Sequence, residues 1–258
     1  MDNLAINIMT APLGKISLFS IGQSGYIIKS KSGQLLGIDL YLSDCVERTE
    51  GHIGFKRMLP KLITPYELDL DVLIATHPHL DHFDIDSIPV LMRNNKTKLF
   101  CSEDCKKLIK QTQMDYFDNN TIYVRPGNSY NVGDFSIYFI NCDHSTGAPD
   151  AVGAIIEVDG KRFLEVGDTC LRLDRVDEML QFGPLDVLIA PINGAYGNLN
   201  EIDCARLSFA LKPKITIPCH YAMFASHGGN PGKFIEIMRE EYPSLPFVIM
   251  TQGESLVL

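Results

Sequence analysis

A chain of 258 residues with 45% hydrophobic and only 21% charged residues can bury a sizeable core and is too apolar to be disordered. Its net charge of −9 speaks against nucleic acid as a partner, because phosphate backbones call for clustered Lys and Arg. No apolar run approaches the ~20 residues of a membrane helix, the start Met1-Asp2-Asn3-Leu4 lacks the basic and apolar regions of a signal peptide, and the seven cysteines are scattered like reduced thiols. A cytoplasmic protein is expected.

In chain order, Lys15 to Ile21, Gly25 to Lys29 and Gln34 to Asp39 are apolar or β-branched runs split by glycine-containing turns at 22–25 and 32–33, which predicts a meander of strands. The segment from Ser43 to Leu68 has weak periodicity and carries Arg48, Lys56, Arg57 and Lys61. A segment that long is a lid, an anion clamp or an oligomer contact. A strand at 71–75 follows, then a helix from Asp84 to about Arg93, a strand from Lys98 to Cys101, and a helix from an N-cap at Ser102 to about Gln113. Strands at 121–125, 134–140, 151–158 and 161–166 come next, the last two joined by an Asp159-Gly160 hairpin turn. Beyond them lie a helix near 174–181, a strand, a helix at about 200–211, a strand at 214–217, a helix at about 231–241 and a final strand at 246–250. The pentapeptide Asp-Val-Leu-Ile-Ala occurs at 71–75 and again at 186–190. Each copy leads through a loop and a helix to a Lys-containing strand, which predicts two similar halves packed sheet to sheet in one domain.

The chemistry concentrates in Thr76-His-Pro-His-Leu-Asp-His-Phe83, where His77, His79, Asp81 and His82 fall within six residues. Residues two apart in an extended stretch point the same way, so His77 and His79 can reach one ion together. Asp81 and His82 fall where the chain must bend and can turn toward a second. Imidazole and carboxylate suit zinc, iron or manganese better than calcium or magnesium. His144, Asp168 and His220 each follow a predicted strand, where a loop can carry the side chain into a shared cleft. Seven donors exceed what one four- to six-coordinate ion would use, so two ions are expected. His52 and His227 read as surface histidines, with His227 near enough to His220 to line the mouth of the cleft.

This order of donors resembles the metallo-β-lactamase superfamily over nearly the whole chain, and Asp39, ending Gln34-Leu-Leu-Gly-Ile-Asp39, matches the family's leading aspartate. The resemblance implies an α/β fold, a four-layer αββα sandwich spanning residues 1–258 as a single domain, with the metals at one edge of the sheets. It implies that His77, His79 and His144 hold one divalent ion, that Asp81, His82 and His220 hold the second, and that Asp168 bridges them. Asp39 would brace the metal-bearing loop without ligating. Zinc or manganese is the expected metal, with iron as the third choice. Two such ions sharing a water bring its pKa toward about 7, which makes hydroxide the nucleophile at neutral pH. Asp81 and His220 are then the catalytic pair among the ligands, Asp81 doubling as proton carrier to the leaving group. No serine or cysteine nucleophile is required, and neither a Gly-x-Ser-x-Gly elbow nor a P-loop is present.

Pro191-Ile-Asn-Gly-Ala-Tyr-Gly-Asn198 and Ile217-Pro-Cys-His-Tyr221 are similar to the subgroup that contains L-ascorbate-6-phosphate lactonase, although a histidine at 144 departs from the lactonase pattern. The resemblance implies a metal-dependent hydrolase that opens a small anionic, phosphorylated lactone or ester, with a small phosphodiester as the alternative. Asn193, Tyr196 and Tyr221 are candidate substrate contacts. Arg48 and Arg57 are candidates for an anion clamp. The expected partner is that small molecule, with neither nucleic acid nor membrane involved and a homo-oligomer left open.

Overall fold

Two mixed β-sheets lie face to face in the computed structural model, which describes residues 3–144 and 147–258. The first half runs α1 (Leu4–Thr10), β1 (Ser17–Gly22), β2 (Gly25–Lys29), β3 (Leu35–Ile38), α2 (Cys45–Glu50), β4 (Val72–Ala75), α3 (Ile88–Leu91), β5 (Lys98–Ser102), α4 (Cys105–Gln111) and β6 (Thr121–Val124). The second runs β7 (Ser129–Val132), β8 (Phe135–Asn141), β9 (Val152–Val158), β10 (Lys161–Glu165), α5 (Val176–Met179), β11 (Val187–Pro191), α6 (Glu201–Leu211), β12 (Ile215–Cys219), α7 (Pro231–Glu241) and β13 (Ser255–Val257). One sheet has the order β13-β1-β2-β3-β4-β5-β6 and the other β12-β11-β10-β9-β8-β7.

Strands buried on both faces read as continuous apolar runs, and alternate residues sort into separate layers. Leu36, Ile38, Val72, Ile74 and Phe100 of the first sheet meet Val187, Ile189 and Ile217 of the second in a central core. Leu73, Ala75, Leu99 and Cys101 turn outward onto a layer that includes α1, α3 and α4. Leu188 and Ala190 turn outward onto α6 and α7. This is the αββα sandwich expected from the sequence.

The repeated pentapeptide marks a real correspondence. Asp71 and Asp186 each use the carboxylate to accept a backbone N–H from the neighbouring strand, from Leu35 at 2.9 Å and from Arg162 at 3.0 Å. Each main-chain N–H donates back to that same residue's carbonyl, and each carbonyl accepts from the next strand, at Lys98 and Ile215. The motif therefore locks three parallel strands at their N-terminal ends in both sheets, leaving the C-terminal ends free to carry the site.

Three boundaries differ from the sequence reading. The helix expected over 84–93 is only Ile88–Leu91, because Asp84 is spent on loops. Its buried carboxylate accepts from the backbone of Leu42, Ser43, Asp86 and Ser87 and from the hydroxyls of Ser43 and Ser87. Ser102 ends β5 and does not cap α4, whose N-cap position is Asp104. Residues 246–250 make only a single bridge, Phe247 to Thr216, and the last strand is Ser255–Val257, antiparallel to β1.

Candidate metal centre

The loop after β4 leaves the sheet with its backbone pinned. Asp39, directly after β3, accepts Thr76 N–H at 2.8 Å and Thr76 Oγ1–H at 2.7 Å. With its proton given to Asp39, the Thr76 hydroxyl is an acceptor for His77 Nδ1 at 3.0 Å. The second Asp39 oxygen also faces His82 Nδ1 at 2.7 Å. Asp39 thus engages the Nδ1 side of both imidazoles, through Thr76 for His77, and turns the Nε2 atoms of His77 and His82 inward. The main chain then turns, with His82 N and Phe83 N both donating to the His79 carbonyl.

The other donors arrive from the ends of β8, β10 and β12. His77 Nε2 lies 2.9 Å from His79 Nδ1, and His144 Nε2 lies 3.1 Å from that same His79 atom. His220 Nε2 lies 3.2 Å from His82 Nε2 and 3.1 Å from Asp168 Oδ2, and Asp81 Oδ2 lies 3.4 Å from His220 Nε2. His77, His79 and His144 form one group able to hold an ion, His77, His82 and Asp168 another, and Asp81, His220 and His227 a third. Bonds of about 2.0–2.2 Å to a first-row divalent ion place neighbouring ligand atoms about 3 Å apart, which is the spacing found here. Asp168 Oδ1 is buried without a hydrogen-bond partner. A buried carboxylate oxygen left so is costly unless a cation takes its lone pairs. The residues present therefore fit a metal.

The electrostatics agree. Burial, together with His82 alongside, holds His77 well below the ordinary imidazole range, and burial pushes His144 down to about 4. Both are lone-pair donors at neutral pH. Burial also opposes charge on His82 and His220, but Asp168 and Asp81 outweigh it, raising His220 to about 9 and His82 well above its usual value. Burial opposes charge on Asp81 and Asp168 as well, yet His82 and His220 keep both carboxylates ionised.

All seven expected ligands thus meet in one place. The substrate candidates do not. A cavity of about 390 Å³ opens above the donors, with His79, Asp81, His144 and Asp168 in its floor and Val46, Phe55, Leu80, Leu108 and Tyr196 in its walls. Tyr196 lines it, whereas Tyr221 donates its hydroxyl to the Met250 carbonyl and Asn193 accepts from Asn198, both outside the lining. Arg48 pairs with Asp86, and Arg57 donates to the carbonyls of Leu59 and Ser43, so neither guanidinium reaches the cavity. The segment 43–68 instead walls the cleft: Met58 N–H donates to the Met223 carbonyl, and the Phe55 ring packs on Phe224, Tyr196 and His227.

Gln23 escaped the sequence reading, and His227, which lines the cavity as its closeness to His220 suggested, was misjudged in its burial. His227 is buried, not a surface residue, and joins the donors Asp81 and His220. Its position in the same loop as His220, before Gly228 and Gly229, was the available signal. Gln23 reaches the same donors from the β1–β2 turn, with Nε2 2.8 Å from Asp81 Oδ2, and nothing in its sequence neighbourhood announces this.

The beta-lactamase superfamily domain model matches residues 40–221, which carry the donor series from His77 to His220. The chain belongs to that superfamily, and the metallo-β-lactamase fold is its architecture. Among curated relatives, a UPF0173 metal-dependent hydrolase of Polynucleobacter asymbioticus is 26% identical over 94% of this chain and 86% of its own. One of Archaeoglobus fulgidus is 26% identical over 75% and 84%. In fold, the metallo hydrolase Igni18 of Ignicoccus hospitalis superposes with a TM-score of 0.71 at 23% identity, over 95% of this chain and 98% of that one. The protein is a metal-dependent hydrolase.

Proposed function

We propose that the protein is a two-metal hydrolase that opens a small ester or lactone whose body is largely apolar. The observation that carries this reading is the convergence of seven donors into adjacent groups beneath an apolar-walled cavity. His77, His79 and His144 would hold one ion, Asp81, His82 and His220 the other, and Asp168 would serve both. The chemistry such a pair supplies when bound is an acidified water and polarisation of the attacked carbonyl oxygen. Asp81 lines the cavity and would carry a proton to the leaving group. Val46, Phe55, Leu80 and Leu108 exclude water around the reacting carbonyl and favour an apolar acyl or ring portion.

The expected phosphorylated substrate finds less support. Apart from the donors, the one charged side chain among the described residues lining the cavity is Glu50, an acid that would repel a phosphate. Protein reconstituted with zinc or manganese should therefore hydrolyse p-nitrophenyl esters and simple lactones, with kcat/KM rising as the acyl chain lengthens from acetyl to hexanoyl. Phosphorylated analogues should be poorer substrates. Turnover confined to bis-p-nitrophenyl phosphate, or ester cleavage that survives prolonged chelation, would overturn the proposal.

A further inference from the structure

Gln23 occupies the tip of the turn between β1 and β2, with a left-handed φ of 56° and only 4% of its surface exposed. Its carbonyl accepts the His220 backbone N–H at 2.9 Å, so the turn and the His220 loop are tied together. The side chain then enters the metal centre. Nε2 lies 2.8 Å from Asp81 Oδ2, 2.9 Å from His227 Nδ1 and 3.1 Å from His220 Nε2. Those three residues are one of the groups whose donor atoms lie within 4.8 Å of one another and can hold an ion. A carboxamide nitrogen carries two protons and no lone pair to offer, so it is the electropositive end of the group that sits here, with Asp81 Oδ2 and His227 Nδ1 as its two acceptors and His220 Nε2 alongside. The opposite end is left unsatisfied, since Gln23 Oε1 is buried with no hydrogen-bond partner.

We propose that Gln23 is a built-in competitor for the second metal: its amide nitrogen occupies Asp81 and His220, two of that ion's ligands, together with His227 beside them, and an ion enters only by displacing it. The inference rests on the two-metal reading above. Gln23 does not reach the group formed by His77, His79 and His144, so its displacement bears on the second subsite alone. That subsite fills only when metal is abundant, which makes the fully loaded enzyme dependent on metal supply.

The test is calorimetric titration of the chelator-stripped full chain with zinc, comparing the natural sequence with Gln23→Gly and Gln23→Asn. Glycine adopts a left-handed φ freely, so its variant keeps the turn while removing the amide. Asparagine withdraws the amide by one methylene and serves if the glycine variant is poorly folded by circular dichroism. The natural protein should show a tight and a weak event. Either variant should tighten the weak event about tenfold, the worth of one hydrogen bond to a charged group, and leave the tight one unchanged. The zinc concentration that half-completes the rise in Tm should fall in parallel. A weak event that is unchanged, or weaker, in the folded variants overturns the competitor, in the latter case making Gln23 a ligand. A single ion bound by all three proteins at millimolar zinc overturns the two-metal reading itself, and the competitor with it.

Discussion

Removal of the Asp39 carboxylate separates support of the site from ligation. In Asp39→Ala three donors lose their acceptor: Thr76 N at 2.8 Å, Thr76 Oγ1 at 2.7 Å and His82 Nδ1 at 2.7 Å. Asp39 and Thr76 are fully buried and His82 is 1% exposed, so water cannot replace it without the site opening. Each stranded buried donor costs about 1–3 kcal/mol. The Thr76 hydroxyl can rotate toward another acceptor, so the backbone amide and the imidazole dominate, and the sum is about 3–5 kcal/mol. The left-handed φ of 47° adds to this, because aspartate tolerates that region better than alanine. At roughly 2–4 °C per kcal/mol for a chain of this size, the melting point should fall by about 10 °C. Metal affinity should weaken by about 10–100-fold, since His82 loses the partner that sets its tautomer. Thermal melts in excess zinc and in EDTA, alongside elemental analysis, provide the assay. The stability deficit should persist in EDTA, because the lost hydrogen bonds do not involve metal. Asp168→Ala should lose most of its metal. The reasoning fails if Asp39→Ala melts with the natural protein in EDTA, or if it is empty of metal while Asp168→Ala remains full.

Zinc binding at pH 7 should release about two protons, because His82 and His220 are held protonated by Asp168 and Asp81 and must give up those protons to ligate. The release should shrink as pH rises through about 9, and a binding enthalpy independent of buffer would refute it. Asp186→Asn should destabilise by about 1–2 kcal/mol near neutrality, through loss of its pairs with Lys214 and Lys161. Burial alone would raise that carboxyl, but the hydrogen bonds from Lys214, Arg162 N–H and Lys161 hold it below 3.8, so the difference is present above pH 3.8 and fades as pH falls beneath it. Equal urea midpoints for both proteins at pH 7 would count against a contribution from these pairs. Arg48→Ala should leave KM for esters and phosphorylated analogues within about twofold, since its side chain is 56% exposed and bound to Asp86. A KM rise confined to phosphorylated substrates would restore the anion clamp.

The donors were legible because each depends on local chain geometry. His77, His79, Asp81 and His82 share one turn, and His144, Asp168 and His220 sit where strands end, so spacing along the chain sufficed to group them. The same holds for the sheets, where residues buried on both faces run apolar without interruption, and for the Asp71 and Asp186 locks, which recur with their pentapeptide. Asp84 was misread for the opposite reason. Its helix-starting pattern is genuine, but six acceptor contacts to Leu42, Ser43, Asp86 and Ser87 outweigh it, and half of these come from a loop more than forty residues away.

Gln23 and His227 lie 204 residues apart, and Arg48 and Arg57 stand close to the cleft in sequence order but face other partners. Which side chains enter the metal centre from outside its own loops is decided by how the β1–β2 turn and the segment 43–68 pack against the chain after β12. From the sequence alone came the grouped donors, because strand-end placement and spacing act over a few residues, and the resemblance those donors carry supplied the expectation of the layered fold and of a bracing Asp39. Only the tertiary structure decided the apolar cavity, the absence of arginine among the described residues that line it and the amide among the donors, because those depend on hydrogen bonds and packing between segments that no local pattern relates.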